Sequence, residues 1–170
     1  LWVDNIRIVS ETIIISISQN PVRRQAGFAG LHTKDSKRNR IFTMKFNELK
    51  LEKNILKALK EAGYSEPTPI QQQAIPPVLE GRDLMGCAQT GTGKTCAFSV
   101  PIIQRLAKSE GGKGTIRALI LTPTRELALQ IYENVCQYAR YMPCSAAVIF
   151  GGVSQVPQVE AIERGVDILI

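Results

Sequence analysis

The sequence predicts an α/β fold, a parallel sheet with helices on both faces, and three observations carry that expectation. From Gly63 onward, short apolar strands take turns with helical segments. The strands "DLMGCA", "RALILT", "AAVIF" and "DILI" are continuous apolar runs instead of alternating ones, as expected where helices cover both sides of a sheet. A glycine-rich loop, "QTGTG", stands between the first of these strands and a helix that begins at Lys94.

Composition agrees with this class. The chain has 170 residues, 44% hydrophobic and 21% charged, which suits one soluble globular domain with a sizeable core. The net charge of +6 is uneven: residues 1–43 hold seven Lys and Arg against three Asp and Glu, and residues 44–170 hold fourteen against twelve. The body is nearly neutral, so the excess gives little support to nucleic-acid binding. Cys87, Cys96, Cys136 and Cys144 form no CxxC pair, and only His32 is present to complete a metal site, so reduced, buried thiols in a cytoplasmic protein are expected. The run "IIISIS" is too short to span a membrane and lacks the basic start and cleavage pattern of a signal peptide.

Along the chain, residues 1–43 carry one β-prone stretch followed by charged and turn-forming residues, and little fixed structure is expected there. Order begins after Met44, with Phe46 and the helical segment "NELKLEKNILKALKEAG", whose Leu49, Leu51, Ile55, Leu56 and Leu59 give an apolar face that Gly63 closes. A short helix follows in "EPTPIQQQAIPPVLEG", then strand "DLMGCA", the loop and the helix from Lys94. Pro101 removes a backbone donor from that helix and should bend or end its first turns. Strand "RALILT", helix "RELALQIYENVCQYARYM", strand "AAVIF", turn "GG", helix "VPQVEAIERG" and strand "DILI" complete the order. The chain starts at Leu1 without a methionine and stops inside an apolar run, so a fragment is expected.

The chemistry is concentrated in "AQTGTGKT", Ala88 to Thr95. A loop that ends a strand and opens a helix points several N–H groups at one anion, and the helix dipole adds positive potential. Ala88, Gln89, Thr90 and Thr92 build the loop, and Gly91 and Gly93 permit close approach. Lys94 is placed to reach β and γ phosphates and Thr95 to offer its hydroxyl to Mg²⁺. The general GxxxxGK[ST] pattern has glycine where this sequence has Ala88. The alternative, a glycine-rich turn with a surface lysine, does not account for the strand before, the helix after and GKT in register. Upstream, "GYSEPTPIQ" sets Gln71 behind two prolines, and an amide there can pair with the amine and N7 of adenine, favouring ATP over GTP. Phe46 can stack on the base. Taken alone, a glutamine is usually solvated and a Phe beside an amphipathic helix is usually core.

Phe46, "GYSEPTPIQ", "AQTGTGKT", "PTRELALQ" and "GG" follow in the order and spacing of the first RecA-like domain of DEAD-box RNA helicases, which residues 44–170 resemble, most closely the bacterial RhlE-type branch. In that family Ala88 is the usual residue at the loop start. The resemblance implies that Phe46 and Gln71 belong to the adenine-recognising Q motif, and that Gly91 through Thr95 wrap the phosphates and Mg²⁺. It further implies that Pro123, Thr124 and Arg125, with Gly151 and Gly152, touch an RNA backbone without reading bases. From the residues alone, Arg125 and Glu126 read as helix-start charges, Leu127, Leu129 and Ile131 as core, and the glycine pair as an ordinary turn.

The resemblance also implies that the D-E-A-D, S-A-T and T-P-G-R stretches and a second RecA-like domain lie beyond Ile170. The parent would then be an ATP-dependent RNA helicase, while the 170-residue chain would bind ATP weakly and unwind nothing. Met44 is the expected natural start, with a basic extension that helps to hold RNA as the rival. Two other readings remain at this point, another P-loop ATPase and a non-catalytic nucleotide- or RNA-binding fragment.

Overall fold

The computed structural model describes residues 4–9, 12–16, 29–31, 44–109 and 115–170. Seven strands form one sheet in the order β3-β4-β2-β1-β5-β7-β6. These are β1 (Asp4–Val9), β2 (Thr12–Ser16), β3 (Ala29–Leu31), β4 (Leu84–Cys87), β5 (Ala118–Leu121), β6 (Ala146–Ala147) and β7 (Ile168–Leu169). The pairs β3 with β4, β1 with β5, β5 with β7 and β6 with β7 are parallel, as expected for this class. Strand β2 runs against both neighbours, with Ile6 opposite Ile15 on β1 and Ile15 opposite Leu84 on β4.

Three of the strands therefore come from the leading segment, where composition suggests little fixed structure beyond one β-prone stretch. The physical reason lies in β4 and β5, which are not neighbours. Each has a free ladder edge facing the other, and the antiparallel pair β1 and β2 satisfies those backbone groups by entering between them, β2 bonding β4 and β1 bonding β5.

Helices α1 (Lys53–Glu61), α2 (Pro69–Leu79), α3 (Lys94–Lys108) and α4 (Arg125–Tyr138) build the main core with the sheet. Ile55, Ile75, Leu84, Phe98, Ile103, Ile120 and Tyr138 are fully buried in it. Helix α5 (Val156–Glu163) contributes Ala161 and Ile162 to a second, smaller cluster with Leu119, Ala147, Val166 and Leu169.

Local expectations are adjusted at three places. The segment after Phe46 is not one helix: a 3₁₀ turn covers Phe46–Leu49, Lys50 takes a left-handed backbone (φ 57°), and α1 starts only at Lys53. Gly63 closes α1 as expected, at φ 84°, with the Tyr64 N–H returning to the Leu59 carbonyl. Pro101 does not end α3, which runs fifteen residues to Lys108. Its middle is buried all round from Cys96 to Gln104, so packing outweighs the one lost hydrogen bond. Leu129 is not core but 41% exposed, whereas Ile131 is buried and Leu127 half-buried.

Candidate nucleotide site and adjoining surface

Because β4, β5 and β6 run in the same direction, the loops that follow them leave the same, carboxyl-terminal edge of the sheet. Ligands of open α/β sheets bind along that edge. The loop after β4 holds Ala88 to Gly93, the loop after β5 holds Pro123 and Thr124, and the segment after β6 holds Gly151 and Gly152.

The phosphate loop owes its shape to glycine. Gly91 (φ 78°) and Gly93 (φ 86°) have left-handed backbones, and Gly93 is the residue from which α3 starts. Thr92 Oγ1 donates to the Gln89 carbonyl at 2.8 Å, closing the turn. Lys94 and Thr95 are the first two residues of α3, half-buried, and Lys94 Nζ donates to the Ala88 carbonyl across the loop. A lysine folded over its own loop is within reach of an anion held there, which an ammonium binds more strongly than a carbonyl. Thr68 Oγ1 is buried beside Gly93 without a hydrogen-bond partner. Two left-handed glycines, an ammonium, a hydroxyl and a helix N-terminus fit a nucleotide phosphate chain. Among the described residues no group of three or more His, Cys, Asp or Glu converges to hold a metal by itself.

Gln71 is buried completely, and both ends of its amide are engaged. Oε1 accepts from the Thr68 N–H at 2.9 Å, and Nε2 donates to the Gly93 carbonyl at 3.1 Å. The residue read as a base contact thus holds the N-terminus of α2 to the phosphate loop, and its amide keeps one lone pair and one N–H beyond these two bonds. Phe46 is 6% exposed, its ring edge-on to Tyr64 at 6.2 Å between centroids. Tyr64 in turn meets Tyr138 edge-on and shares a 2.6 Å hydroxyl–hydroxyl bond with it. Phe46, Gly63, Tyr64 and Ser65, with Lys45 and Lys60, line a groove of about 640 Å³. The groove and the phosphate loop are joined by the same Gly63–Gln71 segment.

Thr124 caps α4, its Oγ1 accepting from the Leu127 N–H at 3.2 Å. Arg125 follows, exposed, with its guanidinium against Gly152: a Cβ on that glycine would lie 2.4 Å from Arg125 Nη2. Two segments singled out separately in the sequence therefore meet. Gln158, which drew no notice in the sequence, fixes the glycine pair: its amide bonds both the N–H and the carbonyl of Phe150 and also the Ser154 carbonyl. Its signal is absent from the sequence because it sits on α5 among residues that face solvent.

None of the four cysteines is in a disulfide. Cys96 is buried and Cys144 half-buried, whereas Cys87 and Cys136 are exposed, against the expectation that all four would be interior. Burial pushes the Cys96 thiol up to about 12, and burial with the nearby Asp167 carboxylate does the same to Cys144. Neither is a nucleophile near neutral pH. No helix among the described residues is long and apolar enough to cross a membrane.

A largely parallel α/β sheet with a glycine loop, a lysine and a threonine at the start of the next helix defines a P-loop nucleotide-binding protein. The family profile for "DEAD/DEAH box helicase" matches residues 68–170, and the chain belongs to that family. Similar proteins include the DEAD-box ATP-dependent RNA helicase RhpA of Helicobacter pylori, 44% identical over 125 residues that make up 74% of this chain and 25% of the relative. The ATP-dependent RNA helicase SrmB of Escherichia coli is 44% identical over 126 residues, 74% of this chain and 28% of the relative. Among solved structures, RNA helicase Prp28 of Chaetomium thermophilum, bound to ADP, superposes with a TM-score of 0.68 at 39% identity, covering 74% of this chain and 31% of that one. A DEAD box protein of Methanococcus jannaschii superposes at 0.65 with 35% identity, over 75% of this chain and 34% of that one. The chain spans about a quarter of the length of the curated relatives it matches.

Proposed function

We propose that this chain supplies the nucleotide cradle and part of the RNA-binding face of an ATP-dependent RNA helicase, with residues 44–170 forming the N-terminal part of its first RecA-like domain. The observation that carries the reading is Gly93, Lys94 and Thr95 opening α3 at the same sheet edge from which Arg125 and Gly152 project. Family membership and relatives named ATP-dependent RNA helicases support it. The RhlE-type branch and a cytoplasmic setting complete the reading, with bacterial helicases among the relatives at 44% identity.

In this reading Lys94 leaves the Ala88 carbonyl for the β and γ phosphates, and the N–H groups of Gly91 to Thr95 surround them. Thr95, together with the phosphates, would hold Mg²⁺, which supplies charge neutralisation for phosphoryl transfer. Phe46 borders the base, and Gln71 reads it with the second lone pair and second N–H of its amide. Pro123, Thr124, Arg125, Gly151 and Gly152 contact sugar and phosphate of RNA, so binding is independent of sequence.

Calorimetric titration of the chain with Mg²⁺ and a non-hydrolysable ATP analogue tests the assignment. Lys94→Ala should weaken binding by about 10- to 100-fold, the loss of one charge-assisted hydrogen bond. Equal affinity of the two proteins, or equal affinity of the native chain for the GTP analogue, would reject it.

A further inference from the structure

We infer that Gln104, ten residues along α3 from Lys94, is a positioning residue that sets the base end of the nucleotide site. The inference rests on the proposed placement of the base at the Phe46 groove.

Gln104 is 3% exposed and lies in the interior of a helix, where a polar side chain is retained only if its hydrogen bonds are met. They are met entirely by a distant part of the chain. Oε1 accepts from the Glu52 N–H at 2.8 Å, and Nε2 donates to the Lys50 carbonyl at 3.0 Å. The residues so held are the ones that need holding. Lys50 has the left-handed backbone that follows the Phe46–Leu49 turn, a conformation unfavourable for a side-chain-bearing residue. Without Gln104, the link between Phe46 and α1 loses both of these bonds to α3.

Helix α3 thereby touches both ends of the site. Its first turn carries Lys94 and Thr95, and its side chain roughly 15 Å further on fixes the turn that carries Phe46. The distance between phosphate loop and base groove is set by one rigid, buried helix. Gln71 links the same loop to α2, so the two buried glutamines tie different halves of the base side to α3.

A purely structural glutamine and a positioning one differ in which ligands feel its loss. ADP spans both ends of the site, whereas inorganic triphosphate uses the phosphate loop alone. Titration of the full chain with each ligand, with and without Gln104→Met, reads the difference. The expected result is about a 10-fold weaker affinity for ADP with triphosphate unchanged within about twofold. Gln104→Asn keeps the amide but shortens its reach by one methylene, and should fall between; it also serves if the Met variant does not fold. Combining Gln104→Met with Phe46→Ala should add less than the two separate losses, since both act on the same turn. Parallel loss of ADP and triphosphate affinity, or no loss of either, overturns the inference. A native chain that binds ADP no better than triphosphate instead overturns the placement of the base.

Discussion

The phosphate loop and the Arg125–Gly152 surface leave the same edge of one sheet but are held in opposite ways. Around Gly93 every polar partner is internal: Gln71 bonds its carbonyl and Lys94 bonds Ala88. Around Gly152 the neighbour is Arg125, an exposed side chain that packs on the glycine through its flexible end. The first arrangement is an interlock that a ligand must partly undo, so occupancy there is coupled to α2 and α3. The second is an open surface whose charge is available on arrival. If the proposed roles hold, a nucleotide site built this way would signal into the fold, while a backbone-binding surface would contribute affinity with little rearrangement.

Alanine at the two glycines separates these cases, and the larger effect belongs to the interlock. A Cβ on Gly93 would fall 2.3 Å from Gln71 Nε2, and Gln71 is locked in the core by two bonds. Gly93→Ala combines a left-handed backbone with the loss of those bonds, and should lower stability by roughly 2–4 kcal/mol with nucleotide binding abolished. Denaturant unfolding and nucleotide titration check both parts. A variant that folds and binds normally would mean that Gln71 moves freely, and the contrast would vanish.

Gly152→Ala meets a similar close contact, 2.4 Å to Arg125 Nη2, with a smaller outcome. The obstructing atom is the mobile end of an exposed side chain, so Arg125 swings aside and only the backbone strain at φ 82° remains, about 1–2 kcal/mol. Nucleotide affinity should be unchanged. Binding of single-stranded RNA should weaken, and its salt dependence should flatten by about 0.7 in the log–log slope if the displaced arginine no longer reaches a phosphate. A slope identical to that of the native chain would remove Arg125 from the RNA surface.

How much of this was legible in the sequence follows from how local each feature is. Gly91, Gly93, Lys94 and Thr95 are contiguous and act through their own backbone, so their order alone predicts the loop. The apolar runs likewise predict β4 and β5, and the strand–helix alternation predicts the parallel sheet. The break at Lys50 was hidden because neither glycine nor proline marks it, and what stabilises it, Gln104, is 54 positions away. The engagement of Gln71 was hidden for the same reason, because Gly93, to which its amide donates, lies 22 residues on. Leu129 misleads because it is apolar, but its place two residues from both Leu127 and Ile131 turns it away from the buried Ala128, Ile131 and Val135 stripe of α4.

The smallest effect comes from the far edge of the sheet, and it shows whether the contrast belongs to the site or to the fold at large. There Asp167 Oδ1 takes two bonds from the Arg117 guanidinium, at 2.6 and 3.0 Å, and Oδ2 takes the Ser145 N–H and hydroxyl. Burial alone would raise the carboxyl's pKa, but the Ser145 and Arg117 hydrogen bonds outweigh it and hold it below the ordinary 3.8. A carboxyl depressed in the fold adds stability that is complete above its unfolded value and is lost as pH falls through the folded one. Acid unfolding below about pH 3.8 should therefore be less steep in Asp167→Asn, measured as stability against pH by chemical denaturation. This cluster is interlocked like the phosphate loop but lies away from it, so the folded Asp167→Asn protein should bind nucleotide and RNA as the native chain does. A change in nucleotide affinity at neutral pH would mean that internal hydrogen bonds anywhere along the sheet tune the site, and the distinction between its two loops would lose its cause.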